Sequence, residues 1–189
     1  MQYQKVLHEL YNSKGVLGSL TMEYDSYLKD AIKRIDNFWF ENIKLIEKVE
    51  LVILAEAPMW GDKESYIYNP DANETDFFKC EHLNSKYSSE YSGKTELITA
   101  LIDKGIVFLD VSPFPLNPKK TAICYRKRRK SKSNSKKIGV KDYKKIMKDT
   151  FNSHTLPKLK EIYKKNDSEI PKYAYRYKTV MDKHETLFN

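Results

Sequence analysis

LVILAEAPMWGDKESYIYNP, residues 51–70, opens with an aliphatic run, Leu51 to Leu54, followed at once by Ala55, Glu56, Ala57 and Pro58. A short aliphatic run without polar alternation is the pattern of a strand buried on both faces. Strands of that kind sit in parallel sheets between helices, and ligands bind beyond their carboxyl ends. Pro58 has no N–H for a ladder and ends the strand. Glu56 therefore falls where chemistry is expected, at the mouth of a pocket that Tyr66, Tyr68 and Asn69 would line. The competing reading is a solvated glutamate in an ordinary strand-to-loop turn, with tyrosines that simply pack.

A second run of the same kind, Ile106 to Asp110, follows a helical stretch from Lys94 to Lys104 whose Leu97, Ile98, Leu101 and Ile102 face inward. Gly105 between them is the helix's C-terminal cap. Strand, helix, strand over 51–110 is a βαβ unit, so the two strands should be parallel. Asp110 ends the second strand as Glu56 ends the first, which brings two carboxylates to one sheet end. The fold class expected is α/β: three layers, α/β/α, with a short, mostly parallel central sheet, in one domain spanning 1–189.

Before the first strand, residues 3–11 suit a short helix with Val6, Leu7 and Leu10 on one side, interrupted by Gly15 and Gly18. From Met22 to Glu47, Tyr24, Tyr27, Leu28, Ile32, Ile35, Phe38 and Trp39 recur at helical steps. Asn37 or Asn42 is expected to divide that stretch. Residues 71–94 read as a long loop with a helical turn around Phe77 and Phe78, of the kind that serves as a lid. Residues 126–137, RKRRKSKSNSKK, carry no apolar side chain and read as a basic, mobile insertion. In its functional reading Arg126, Lys127, Arg128, Arg129 and Lys130 contact phosphates, together with Ser112 after the second strand. In its plain reading it is a solvated loop. From Lys141 to Lys165 a helical pattern returns, broken near Pro157 with Thr155 as the next N-cap. Tyr173 to Val180 alternates aromatic and basic residues, the mark of a half-exposed strand.

The formal net charge of +8 and a pI near 9.2 favour an anionic partner, nucleic acid first among them. A lysine-rich composition also follows from an AT-rich coding sequence. Cys80 and Cys124 have no metal-ligand spacing and suit a reducing compartment. His8, His82 and His154 show no ligand spacing either, so neither metal nor cofactor is expected. With no signal peptide and no apolar run of about 18 residues, the expected location is cytoplasmic, without a membrane partner.

At these two strand ends the chain resembles the uracil-DNA glycosylase superfamily. AEAP at 55–58 is similar to that family's GEAPG form of the first-strand motif, and GIVFLD at 105–110 to its second-strand G-V-L-L-L-N. The resemblance covers about residues 50–116. It implies a DNA base glycosylase-like hydrolase in which Glu56 orients water. Tyr66 or Tyr68 would stack on an extruded base, and Asp110 would read the base edge. The chain departs from the pattern at Ala55 and Met59, where the motif has glycine, and at Asp110, where it has asparagine. An ionised carboxylate only accepts hydrogen bonds, so it suits a base edge with an amino donor, such as cytosine or adenine, better than uracil. The family's late histidine motif has no counterpart; His184 stands alone near the terminus. Two cysteines do not supply the four that the family's iron–sulfur branch uses. A non-catalytic nucleic-acid-binding protein on the same scaffold is the alternative, and a nucleoside enzyme acting on small molecules is a third.

Overall fold

A computed structural model describes residues 2–72, 91–126, 134–178 and 180–182. Cys80, His82, Lys127, Arg128, Arg129, Lys130 and His184 lie outside these residues, as do residues 73–90 of the expected lid and 127–133 of the basic insertion. The chain is a mixed α/β fold built on a small parallel sheet. Strand β1 (Leu51–Ala55) is central, with β2 (Ile106–Asp110) on one side and β5 (Lys172–Tyr175) on the other. Both neighbours run parallel to β1; Ala55 pairs with Asp110, and Leu54 with Tyr175.

Helix α1 (Gln2–Ser13) buries Val6, Leu7, Leu10 and Tyr11. Gly15, at φ +62°, turns the chain out of it. Gly18 does not interrupt further: it sits in a 3₁₀ turn (Leu17–Ser19) that leads into α2 (Leu20–Glu23), a π turn (Tyr24–Leu28) and α3 (Lys29–Leu45). The expected division at Asn37 or Asn42 is absent. Ile32, Ile35, Trp39 and Ile43 form one buried stripe across both positions, and that burial outweighs asparagine's modest helix penalty. Helix α4 (Lys94–Asp103) crosses from β1 to β2, as the βαβ pattern predicts.

The middle of the chain departs from expectation. Two short strands, β3 (Ile123–Cys124) and β4 (Lys136–Lys137), pair in parallel. The C-terminal end of the basic run, residues 135–137, is thus tied to the fold by strand pairing and side-chain hydrogen bonds. Ser135 is buried, and its hydroxyl donates to the carbonyls of Pro118 and Thr121. Helix α5 (Val140–Thr150) continues through a π turn (Phe151–Thr155) into α6 (Leu156–Lys165), so Pro157 lies in the first turn of α6 instead of breaking the path.

Strand β5 is shorter than the alternating pattern suggests. Its ladder ends where the Arg176 N–H donates to the Leu54 carbonyl at 3.0 Å. The entrance to the sheet is held by Asn166. Its amide oxygen accepts from the Val49 N–H at 2.8 Å and its amide nitrogen donates to the Val49 carbonyl at 2.7 Å. Both residues are buried. Asn166→Ala leaves two buried backbone groups without these partners, and unfolding by denaturant is expected to show a loss of about 2 kcal/mol. A change under about 0.5 kcal/mol would sink this account.

Candidate functional site

Three charged residues arrive at the carboxyl end of the sheet, one from each strand. Asp110 is the last residue of β2, Glu56 follows β1 and Arg176 follows β5. The backbone fixes this end: the Val111 N–H donates to the Ala55 carbonyl at 3.0 Å, and the Ser112 N–H to the Glu56 carbonyl at 3.3 Å. The Tyr143 hydroxyl donates to the same Glu56 carbonyl at 2.8 Å, which ties α5 to the loop.

Glu56 opens onto a cavity of about 290 Å³, lined also by Tyr125, Lys137, Gly139, Val140 and Tyr143. Its side chain is 15% exposed, and the Arg126 guanidinium Nε lies 3.5 Å from its carboxylate. The Tyr125 and Tyr143 rings meet edge to face, with centroids 5.7 Å apart. Burial raises both phenols well above their ordinary range, and the nearby charges of Glu56 and Asp110 raise them further. A carboxylate, two aromatic rings and a lysine around one small cavity can orient water beside an aromatic ligand.

Asp110 faces another way. It is not among the residues that line this cavity. Pleating puts it on the face of Phe108, where Arg176 stacks 5.6 Å from the Phe108 centroid. Burial pushes the Asp110 carboxyl up to about 6, against the opposing charges of Lys158 and Arg176. Behind it, His154 Nε2 lies 2.8 Å from the Asp110 carbonyl, and Lys158 Nζ lies 3.3 Å from His154 Nδ1 and 2.7 Å from Asp36. Burial first, then Lys158, pushes His154 down to about 3. This cluster was not legible in the sequence. His154 sits in a π turn, and its partners lie 44 residues upstream at Asp110 and four downstream at Lys158.

These two shifts have opposite effects on stability. Between about pH 4 and 6 the native state keeps the Asp110 proton that an ordinary carboxyl at 3.8 has lost, so this group's contribution falls as pH rises. Unfolded His154 takes a proton below its ordinary 6.5 and the native residue does so only near 3, so its contribution falls as pH drops. The two cancel between about pH 4 and 6. Removing the histidine in His154→Gln leaves the Asp110 slope unopposed. Relative to the parent, the variant is expected to lose stability as pH rises through that window. A stability difference independent of pH in urea titrations would refute the assignment.

The other expected contacts are committed to the fold. Tyr66 and Tyr68 are each 4% exposed and pack edge to face. The Tyr68 hydroxyl accepts from the Phe108 N–H at 2.6 Å, while Trp39 Nε1 donates to the Phe108 carbonyl at 2.9 Å. Strand β2 is an edge, and these two side chains satisfy the outward backbone groups of its central residue. The Tyr66 carbonyl accepts from buried Lys94, whose ammonium burial pushes down to about 8. The Asn69 amide bridges the Glu64 carbonyl and the Asp71 N–H within its own loop. The Ser112 hydroxyl is buried and shares a 2.5 Å hydrogen bond with Tyr125. Base contact by Tyr66, Tyr68 or Asn69 thus has neither exposed ring faces nor an uncommitted amide to use. Tyr68→Phe is expected to cost about 1 kcal/mol and to speed hydrogen exchange at the Phe108 amide; unchanged exchange there would refute the edge role.

Among the described residues, no group of three or more His, Cys, Asp or Glu side chains could hold a metal ion. No described helix is long and apolar enough to cross a membrane. No protein-family model, curated protein or solved structure matches this chain.

Proposed function

We propose that this chain is a DNA base glycosylase-like hydrolase with a uracil-DNA glycosylase-like arrangement, acting on an extruded base. The observation that carries the reading is Glu56, at the carboxyl end of the central parallel strand, opening onto a cavity walled by Tyr125 and Tyr143 and edged by Lys137. In this reading Glu56 accepts a proton from water as the water oxygen bonds to the sugar C1′. The N-glycosidic electron pair leaves with the base. Tyr125, the more exposed of the two rings, takes the stacking role first assigned to Tyr66 or Tyr68. Arg126 and Lys137 flank the cavity as phosphate contacts. Asp110, expected to read the base edge, ends the neighbouring strand outside this cavity and is given no contact with the base.

The test is base release from oligonucleotides carrying uracil, hypoxanthine, cytosine or modified cytosines, with alkali to cut abasic sites and Glu56→Gln as control. Abasic product that depends on Glu56 supports the reading and names the base.

A second reading has its own observation. Arg126 already pairs with the Glu56 carboxylate, and Tyr66, Tyr68 and Asn69 serve the fold. A nucleic-acid-binding protein without catalysis accounts for both. It predicts salt-sensitive binding and no abasic product with any base.

A further inference from the structure

We infer that Tyr143 is a positioning residue for Glu56: its ring walls the cavity, and its hydroxyl fixes the main chain from which the carboxylate enters it. That role rests on the reading of Glu56 as the group that takes a proton from water.

Two routes of hydrogen bonds end on one atom, the Glu56 carbonyl oxygen. The Tyr143 hydroxyl donates to it at 2.8 Å, from 87 residues along the chain. The Ser112 N–H donates to it at 3.3 Å. The Ser112 hydroxyl in turn shares a 2.5 Å hydrogen bond with the Tyr125 hydroxyl. Tyr125 and Tyr143 are the aromatic residues lining the cavity that Glu56 opens onto, and their rings meet edge to face. Both aromatic walls are therefore fastened to the main chain of Glu56, Tyr143 directly and Tyr125 through Ser112.

The place of these bonds gives them their consequence. Glu56 lies one residue beyond β1, and Pro58, two residues further on, has no N–H to give. The peptide that follows Glu56 is thus held by groups from outside its own strand and loop. Main-chain torsions decide which rotamers a side chain takes, so a fixed carbonyl narrows the aim of the Glu56 carboxylate. Arg126 meets that carboxylate from the exposed rim, where water screens its pull. Tyr143 instead acts from inside α5, and its ring is buried, so the anchor is a helix and not a loop. A buried phenol needs an acceptor for its proton. Were that its whole role, loss of the hydroxyl would cost stability and leave the Glu56 side chain as it was. A positioning role changes the side chain and the chemical step as well.

Tyr143→Phe keeps the ring and removes the hydroxyl. The test is the three-bond NMR couplings of Glu56 in the parent and in this variant, beside steady-state base release from the oligonucleotide panel. The parent couplings are expected to report one χ1 rotamer, and Tyr143→Phe to average them. For base release, kcat per folded molecule is expected to fall about tenfold with KM unchanged, because the stacking wall stays and only the aim is lost. Averaged couplings in the parent overturn the inference without need of any variant, and so do unchanged couplings in folded Tyr143→Phe. Glu56-dependent base release with an unchanged kcat in Tyr143→Phe also overturns it and leaves the hydrolase reading standing. Couplings that average in Tyr143→Phe, with no abasic product from the parent on any oligonucleotide, keep Tyr143 as the anchor of Glu56 and reject the hydrolase reading.

Discussion

On the proposed glycosylase reading, Glu56→Gln is expected to lower base release by about 10³-fold while the protein stays folded. The amide has the carboxylate's shape and loses its ability to take a proton from water. The loop holding it is anchored by its own backbone: the Glu56 carbonyl accepts from the Ser112 N–H and the Tyr143 hydroxyl, and neither bond involves the side chain. The Arg126 pair is lost, but that guanidinium is 61% exposed, and pairs of this kind contribute at most about 1 kcal/mol. Activity and stability should therefore separate. Single-turnover abasic yield on the best oligonucleotide, measured beside thermal unfolding, checks this. Activity within tenfold of the parent would remove Glu56 from the role of base.

The largest stability effect is expected at Gly105→Ala, at about 3 kcal/mol, or a fall in Tm of roughly 10 °C. Gly105 lies at φ +61°, where a side chain is strained. An added Cβ would stand 2.3 Å from the Lys48 carbonyl and 2.9 Å from the Glu50 nitrogen, both backbone atoms. Its own carbonyl accepts from the Glu50 and Leu51 N–H groups at 2.8 and 3.2 Å. Relief of the clash would pull apart the junction where α4 ends and β1 and β2 begin to pair. Differential scanning calorimetry checks it, and a Tm within about 2 °C of the parent would show that the junction yields easily.

Gly105 marks what local reading can reach. A glycine after an amphipathic run and before an aliphatic one signals a cap, and the structure has one there. β1, α4 and β2 were legible for the same reason: each is encoded by the period of its own apolar residues, and a strand–helix–strand order leaves parallel pairing as the ready solution. The common end for Glu56 and Asp110 follows from that pairing.

What only the tertiary structure decided is where each side chain points and which partner it meets. Tyr66 and Tyr68 look like ligand-facing aromatics in a polar loop, yet an edge strand needs its outward N–H and C=O satisfied, and Tyr68 supplies one of those bonds from 40 residues away. Tyr125, flanked by a basic run, gives no local sign that it shares a cavity with Glu56, because Tyr143 and Lys137 reach it from other elements. His154 meets Asp110 through a π turn that no apolar period encodes. Sequence periodicity records which face of an element avoids water. It does not record which polar atom across the core will complete a hydrogen bond, and at this sheet end those long-range bonds position the charged groups.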